Sequence, residues 1–424
     1  MAAPRNRNPE RPRDSPITLE LCIDMSSFLP QFPPSTNPLL LFGLLLFAGF
    51  AGGELVRRLF KVPSILGYVL VGLLLGKGGL DVLNGHLVKD AWIFVDVALG
   101  LILFELGRRL DLTWLKRDPW LAATGVLESA LSFGLVYGAL VYFDVKPVFA
   151  AVAAAIGVAT SPAVVMVVAQ ELRAEGQVTE RALNLVAINS VIAFVTATML
   201  LAWIHHEYQA DWRTILLHPI YLLAGSFVLG YAASKIAVAT GRLLGKNEQG
   251  HFVAALALIV ITVGAARMLE LSVLIALLVF GVLSRSLDRD HVLMPFDMGR
   301  VGQMFVVVLF VVSGASFKPE DLAATGTLAL AFILARFAGK SIGVLALTYF
   351  SGVRRGSAGL LCLALTPMSG LAVVMVHDAG HLYPEFGAKL AAIVLSAALV
   401  LEVLGPLAVQ FALKRADEAA KDSQ

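Results

Sequence analysis

Apolar and polar stretches alternate along the chain on a scale of roughly 20 residues, the length of helix that crosses a bilayer. After Pro38 the apolar runs fall at 39–58, 63–79, 91–107, 119–143, 147–170, 181–205, 217–241, 250–268, 271–285, 299–316, 324–350, 356–378 and 386–413, separated by short polar loops. An open sheet would leave backbone groups unpaired in hydrocarbon, so all thirteen runs are read as α-helices. The expected fold is an all-α polytopic membrane protein. The weakest division lies between the eighth and ninth runs, where only Arg267–Glu270 intervenes.

Composition agrees with this pattern. The 424 residues are 58% hydrophobic and only 15% charged, with a mean hydropathy of +0.79, against about 45–50% and about 25% in ordinary soluble chains. Thirteen crossings leave no room for a sizeable extramembrane domain. A formal charge of +2 gives no dense basic surface, which excludes a nucleic-acid partner. The two cysteines, Cys22 and Cys362, are too few for a disulfide framework or a metal cluster. No nucleophile elbow, phosphate loop or metal-ligand spacing is present, so neither an enzyme nor a cofactor is expected.

The remaining segments are tails. Residues 1–38 are polar and proline-rich, carry Arg5, Arg7, Arg11 and Arg13, and are read as a disordered N-terminal tail. An internal Met25 leads directly into the first apolar run and is read as an alternative start. Residues 414–424 form a C-terminal tail. Orientation follows from the basic residues. With the first helix starting outside, 20 lysines and arginines fall in inner loops and 7 in outer loops, which places the N-terminus outside and the C-terminus in the cytoplasm.

Two of the runs are interrupted. Gly157-Val-Ala-Thr160-Ser161-Pro162 lies in the fifth and Ala364-Leu-Thr366-Pro367-Met368-Ser369-Gly370 in the twelfth. Each proline removes a backbone donor and frees a carbonyl, and the neighbouring hydroxyls can bind an ion or satisfy the freed backbone. If runs 1–6 and 8–13 are two halves joined by run 7, each break is in the fifth helix of its half. Six crossings plus one linker invert the second half, and paired breaks in inverted halves mark the ion site of many transporters.

These elements resemble the monovalent cation:proton antiporter superfamily, in its bacterial sodium/proton exchanger branch. Val62-Pro63-Ser-Ile-Leu-Gly67 through Gly76 resembles that family's second helix, and Ala98 through Glu105-Leu-Gly107-Arg-Arg-Leu-Asp111 its third. Thr160-Ser161-Pro162 resembles its Thr-Asp-Pro element, with serine in place of the usual aspartate. The resemblance runs from about residue 39 to 412. It implies two inverted six-helix repeats with crossed broken helices, in an inner-membrane homodimer. It further implies that 119–205 and 324–413 form a core or transport part within the 39–413 transporter domain, that 39–118 and 250–316 form a dimerisation part, that 217–241 is a linker helix, and that the core moves as an elevator. Asn189 matches the first member of the family's Asn-Asp pair, while Ser190 stands where the ion-carrying aspartate would be.

Charged side chains at mid-membrane are costly and usually pair or line a hydrated path. Those within runs are Glu128, Arg336, Lys340 and Glu402. Glu128 lies eleven residues beyond Arg117, Asn189 eight beyond Arg181 and Lys340 fourteen before Arg354. At about 1.5 Å per residue all three sit near mid-depth. Arg336 and Lys340 are four apart and share a helix face. Lys340 matches the basic residue that family members place on this helix. Without an aspartate at 190, its partner is Glu128 or Glu402.

The leading expectation is therefore exchange of Na⁺ or K⁺ for protons. Thr160, Ser161, Pro162, Asn189, Ser190, Thr366, Pro367 and Ser369 would line the site, and Glu128 and Lys340, with Arg336 and Glu402 nearby, would couple protons. A static ion pair that only holds helices together is the plain alternative. The same fold could instead carry an anion or an organic solute through an exposed Lys340 or Arg336, or act as a non-transporting sensor or channel.

Overall fold

The residues flanking each apolar run decide where its helix begins. Asp118, Ser161, Asn247 and Ser272 each stand just before a helix and accept the N–H three residues on, satisfying a donor that the first turn leaves free. Pro119, Pro147, Pro162 and Pro319 occupy first helical positions, where their missing N–H costs nothing.

The computed structural model describes residues 37–83, 85–110, 118–208, 212–245, 247–288, 299–348, 350–352, 354–368, 372–373, 375–376 and 384–420. Among these the chain runs through α1 (Pro38–Phe60), α2 (Ser64–Leu75), α3 (Gly85–Arg109), α4 (Pro119–Tyr142), α5 (Pro147–Val158), α6 (Pro162–Glu171), α7 (Gln177–Tyr208), α8 (Trp212–Leu244), α9 (Glu248–Met268), α10 (Val273–Leu287), α11 (Gly299–Ser316), α12 (Pro319–Leu347), α13 (Arg355–Ala364) and α14 (Pro384–Arg415). No strand occurs among the described residues. Eight stretches are long and apolar enough to cross a membrane, the interrupted Pro147–Glu171 among them, and α2, α10 and residues 302–316 are shorter apolar helices. The chain is a multi-pass membrane protein. The tail read at 1–38 falls outside the described residues up to residue 36.

Several boundaries differ from the hydropathy reading because polar ends extend the helices. α3 starts at Gly85 rather than 91, α7 covers Gln177–Tyr208 rather than 181–205, and α12 starts at Pro319 rather than 324. The division between the eighth and ninth runs is a real turn. Leu271 N–H donates to the Ala266 carbonyl at 2.7 Å, and Glu270 takes a positive φ of 52°. The fifth run is two helices, α5 and α6, with extended backbone at Ala159 and Ser161.

The pairing of helices follows the inverted halves. α2 packs on α11, α3 on α10, and α4 on α12 across the centre. The first two contacts are equivalent under exchange of the halves, and both are made by glycines. A methyl group at Gly72 would collide with the Val311 carbonyl and Gly314, and one at Gly281 with the Phe104 carbonyl and Gly107. Such small-residue contacts let backbones approach where lipid supplies no hydrophobic drive. In the most apolar 18-residue window of Pro147–Glu171 89% of the residues are buried, against 22% in that of Leu39–Phe60, so the broken helix is central and α1 peripheral.

α4–α7 and α12–α14 pack on one another, and α1–α3 pack with α10 and α11. Polar bonds cross between these two sets. Glu171 of α6 accepts from the Ser64 hydroxyl, Gln170 Nε2 donates to Glu105 at 2.8 Å, and Ser313 donates to Glu402 at 3.1 Å. Glu105 is buried and also accepts from Arg109 at 3.0 Å.

The end of α14 is tied back to the start of α7. Glu418 accepts from the N–H groups of Val178 and Thr179 at 2.7 and 2.8 Å and from the Thr179 hydroxyl. A carboxylate on free donors at a helix N-terminus stabilises the helix through both hydrogen bonds and the helix dipole. Glu418→Ala is expected to lower stability by about 1–2 kcal/mol, read as a lower thermal unfolding midpoint in detergent. An unchanged midpoint would show that the strap contributes nothing.

Candidate functional site

Where α5 ends and α6 begins, the chain leaves the helix for Ala159–Ser161, and where α13 ends it does the same at Leu365–Met368. The two breaks touch, because Ser161 N–H donates to the Pro367 carbonyl at 3.1 Å. Helix ends leave carbonyls without intrahelical partners, and in a buried membrane site water does not replace them. Both α5 and α13 direct C-terminal ends, with their negative partial charge, at this crossing.

α12 supplies the compensation. Arg336 Nε donates to the Gly157 carbonyl at 2.8 Å, Nη1 to Thr366 at 2.7 Å, and Nη2 to Ala159 at 2.9 Å and Pro367 at 3.2 Å. Lys340 Nζ donates to the Val158 carbonyl at 2.8 Å. The Thr160 hydroxyl donates to Leu365 at 3.3 Å. Every carbonyl from 157 to 159 and from 365 to 367 thus accepts a hydrogen bond. The planar guanidinium fork is what lets one side chain reach both breaks.

Lys340 also meets Glu128 of α4 at 2.9 Å. Arg336 and Lys340 are each 1% exposed and Glu128 0%. Asn189 of α7 completes the group. Its amide donates to Glu128 Oε1 at 2.9 Å and to the Thr160 hydroxyl at 3.0 Å, and its carbonyl accepts Thr160 N–H at 3.2 Å. One asparagine therefore ties the carboxylate to the first break. Two glycines make room for this. A methyl group at Gly343 would collide with the Glu128 backbone and one at Gly339 with that of Ser132, so α12 and α4 lie close enough for a short ion pair.

The structure brings together Thr160, Ser161, Pro162, Asn189, Ser190, Thr366, Pro367, Glu128, Arg336 and Lys340. Ser161 caps α6 through Val164 N–H at 3.3 Å with Pro162 as first helical residue. Ser190 donates within its own helix to the Val186 carbonyl at 2.7 Å and brings no charge to the site. Ser369 lies outside the described residues. Of the two partners open to Lys340, Glu128 is the one it meets, and Glu402 faces Ser313 on α11. The carbonyls at the breaks are held by Arg336, Lys340 and the Thr160 hydroxyl. The role of Arg336 as a clamp on both breaks was not read from the sequence, although its spacing from Gly339, Lys340 and Gly343 on one face is the signal that carried it.

A family model described as sodium/hydrogen exchanger, transmembrane, matches residues 42–415. The chain belongs to the sodium/hydrogen exchanger family. Its fold is shared by the sodium proton antiporter MjNhaP1 of Methanocaldococcus jannaschii. One structure of that protein, at pH 8, gives a TM-score of 0.66 at 17% identity, covering 89% of this chain and 98% of that one. A second, from an electron-microscopy map, gives 0.63 at 17%, covering 89% and 97%. In sequence, the Na⁺/H⁺ antiporter NhaS5 of Synechocystis sp. is 32% identical over 85 residues, 20% of this chain. That match spans only 12% of the relative's length. In this exchanger-family chain the position after Asn189 is a neutral serine and the buried carboxylate stands on α4.

Removing one partner of a buried ion pair strands the other charge and costs about 3–5 kcal/mol, whereas replacing both with apolar groups is often neutral. Lys340→Met and Glu128→Leu are each expected to lower the unfolding midpoint strongly, and the double variant to regain most of the loss. Additive losses in the double variant would mean the two do not act as a pair. Arg336→Lys is expected to destabilise by more than about 2 kcal/mol, since a single ammonium cannot reach four carbonyls at two breaks. An Arg336→Lys protein as stable as the parent would show that the guanidinium fork is not what holds the breaks.

Proposed function

We propose that this chain exchanges a monovalent cation, Na⁺ or K⁺, for protons across the cell (inner) membrane, with Glu128 as the acid that its relatives place after the asparagine. The observation that carries this reading is the fully buried Glu128–Lys340 pair, joined through Asn189 to the first break. Glu128 carries one negative charge, which one positive partner balances at a time. A cation that takes the carboxylate, with the Asn189 and Thr160 oxygens beside it, displaces the Lys340 ammonium. An ammonium without its counter-charge in a dry site gives up its proton, so one cation enters as one proton leaves.

Supporting the wider reading, residues 119–205 and 324–413 hold all the site residues, while 39–118 and 250–316 hold the glycine-packed pairs α2·α11 and α3·α10. We assign the first set to a moving core and the second to a dimerisation part, with 217–241 linking them and elevator-type motion between them. The family's dimeric arrangement and the charge bias of the loops support a homodimer with the N-terminus outside and the C-terminus cytoplasmic. An anion or organic cargo needs an open cation, and both Arg336 and Lys340 are closed off.

The test uses purified protein in liposomes with an internal pH dye, pulsed with Na⁺, K⁺ or Li⁺. The parent protein is expected to move protons on addition of at least one cation, and Glu128→Gln to lose at least 100-fold of that rate while still folding. Cation-driven proton movement unchanged in Glu128→Gln would overturn the assignment. So would a silent parent in which Ser190→Asp alone gains exchange.

A further inference from the structure

Glu402 on α14 is 0% exposed and takes no part in the charge pair at the crossing. Its Oε2 accepts from the Ser313 hydroxyl of α11 at 3.1 Å, and its Oε1 has no hydrogen-bond partner. One turn further along, Gly405 packs on Pro367, so this face of α14 meets the second break on one side and α11 on the other.

The ionisable groups on the surrounding elements are engaged elsewhere or lie at helix ends. On α12, Arg336 and Lys340 point into the crossing and Glu320 and Asp321 stand in the first turn. Glu171 at the end of α6 accepts from Ser64, Cys362 of α13 contacts the Ser341 carbonyl, and Arg355 begins α13. α2 offers only Tyr68, α5 has no ionisable side chain, and Arg300 stands near the start of α11. On α3, Asp96 is held by Arg267 and Glu105 by Arg109 and Gln170, with Lys89, Asp90, Arg108 and Arg109 toward the two ends. Among the described residues no cation contacts Glu402.

A buried carboxylate without a counter-charge is several kcal/mol uphill. The neutral acid carries one O–H donor, and the Ser313 oxygen is placed to accept it.

We propose that Glu402 is a second proton-binding site, a neutral acid hydrogen-bonded to Ser313 and separate from the Glu128–Lys340 pair. A proton bound at Oε2 turns the carboxylate into a neutral acid whose O–H donates to the Ser313 oxygen. Because Ser313 and Glu402 lie on different helix sets, the protonated acid also bridges them.

The test is infrared spectroscopy of the purified, folded protein, which reads the C=O stretch of a neutral carboxylic acid directly and needs no transport. At neutral pH the parent is expected to show such a band. It should vanish in Glu402→Gln, shift in frequency in Ser313→Ala, and survive in Glu128→Gln. A parent without the band, or a band that persists in Glu402→Gln, overturns the proposal. Should Glu402→Gln fail to fold, Ser313→Ala decides, and an unmoved band overturns it. Because Glu128→Gln is a control, failure here and failure of the exchange reading are told apart.

Discussion

The arrangement depends on six main-chain carbonyls at the crossing of two broken helices. Hydrocarbon cannot hydrate them, and every unpaired one would cost on the order of kilocalories. Transporters with broken helices can fill such a place with an ion. Here residues of the same chain fill it, with Arg336 spanning both breaks, Lys340 on the first and the Thr160 hydroxyl on the second. The carbonyls of both breaks are therefore satisfied by the chain itself.

Once that clamp exists, the charges around it follow. Two buried cations require a nearby anion, and with a neutral Ser190 on α7 it comes from α4 as Glu128. Asn189 then links the carboxylate to the break, donating to both Glu128 and the Thr160 hydroxyl. Gly339 and Gly343 set the α4 to α12 spacing on which the pair depends. Arg336, Gly339, Lys340 and Gly343 lie on one helix face, so packing and charge are specified by the same stripe of α12.

Much of this was legible in the sequence because it rests on local chemistry. The prolines at 162 and 367, each beside hydroxyl residues, mark the two breaks, whereas Pro219 and Pro406 stand inside α8 and α14 without ending them, and residue counting from the loop ends put Glu128, Asn189 and Lys340 at one depth. Helix rotation is not a local property. Depth alone allowed either Glu128 or Glu402 as the partner of Lys340, and only the close packing of α12 on α4 decides it. The clamp was hidden for the same reason, since a bond from Arg336 to Thr366 depends on two breaks meeting. Helix ends were missed where polar residues continue a helix beyond its apolar run, as at Gly85 and Gln177.

The most direct measurement is an anomalous-scattering map of crystals soaked in Tl⁺, a heavy stand-in for K⁺. We expect Arg336 on the carbonyls of Gly157, Ala159, Thr366 and Pro367 in every case, with any bound Tl⁺ at the Glu128 carboxylate and Lys340 moved aside. Tl⁺ seated among those four carbonyls, with Arg336 turned away, would contradict the clamp.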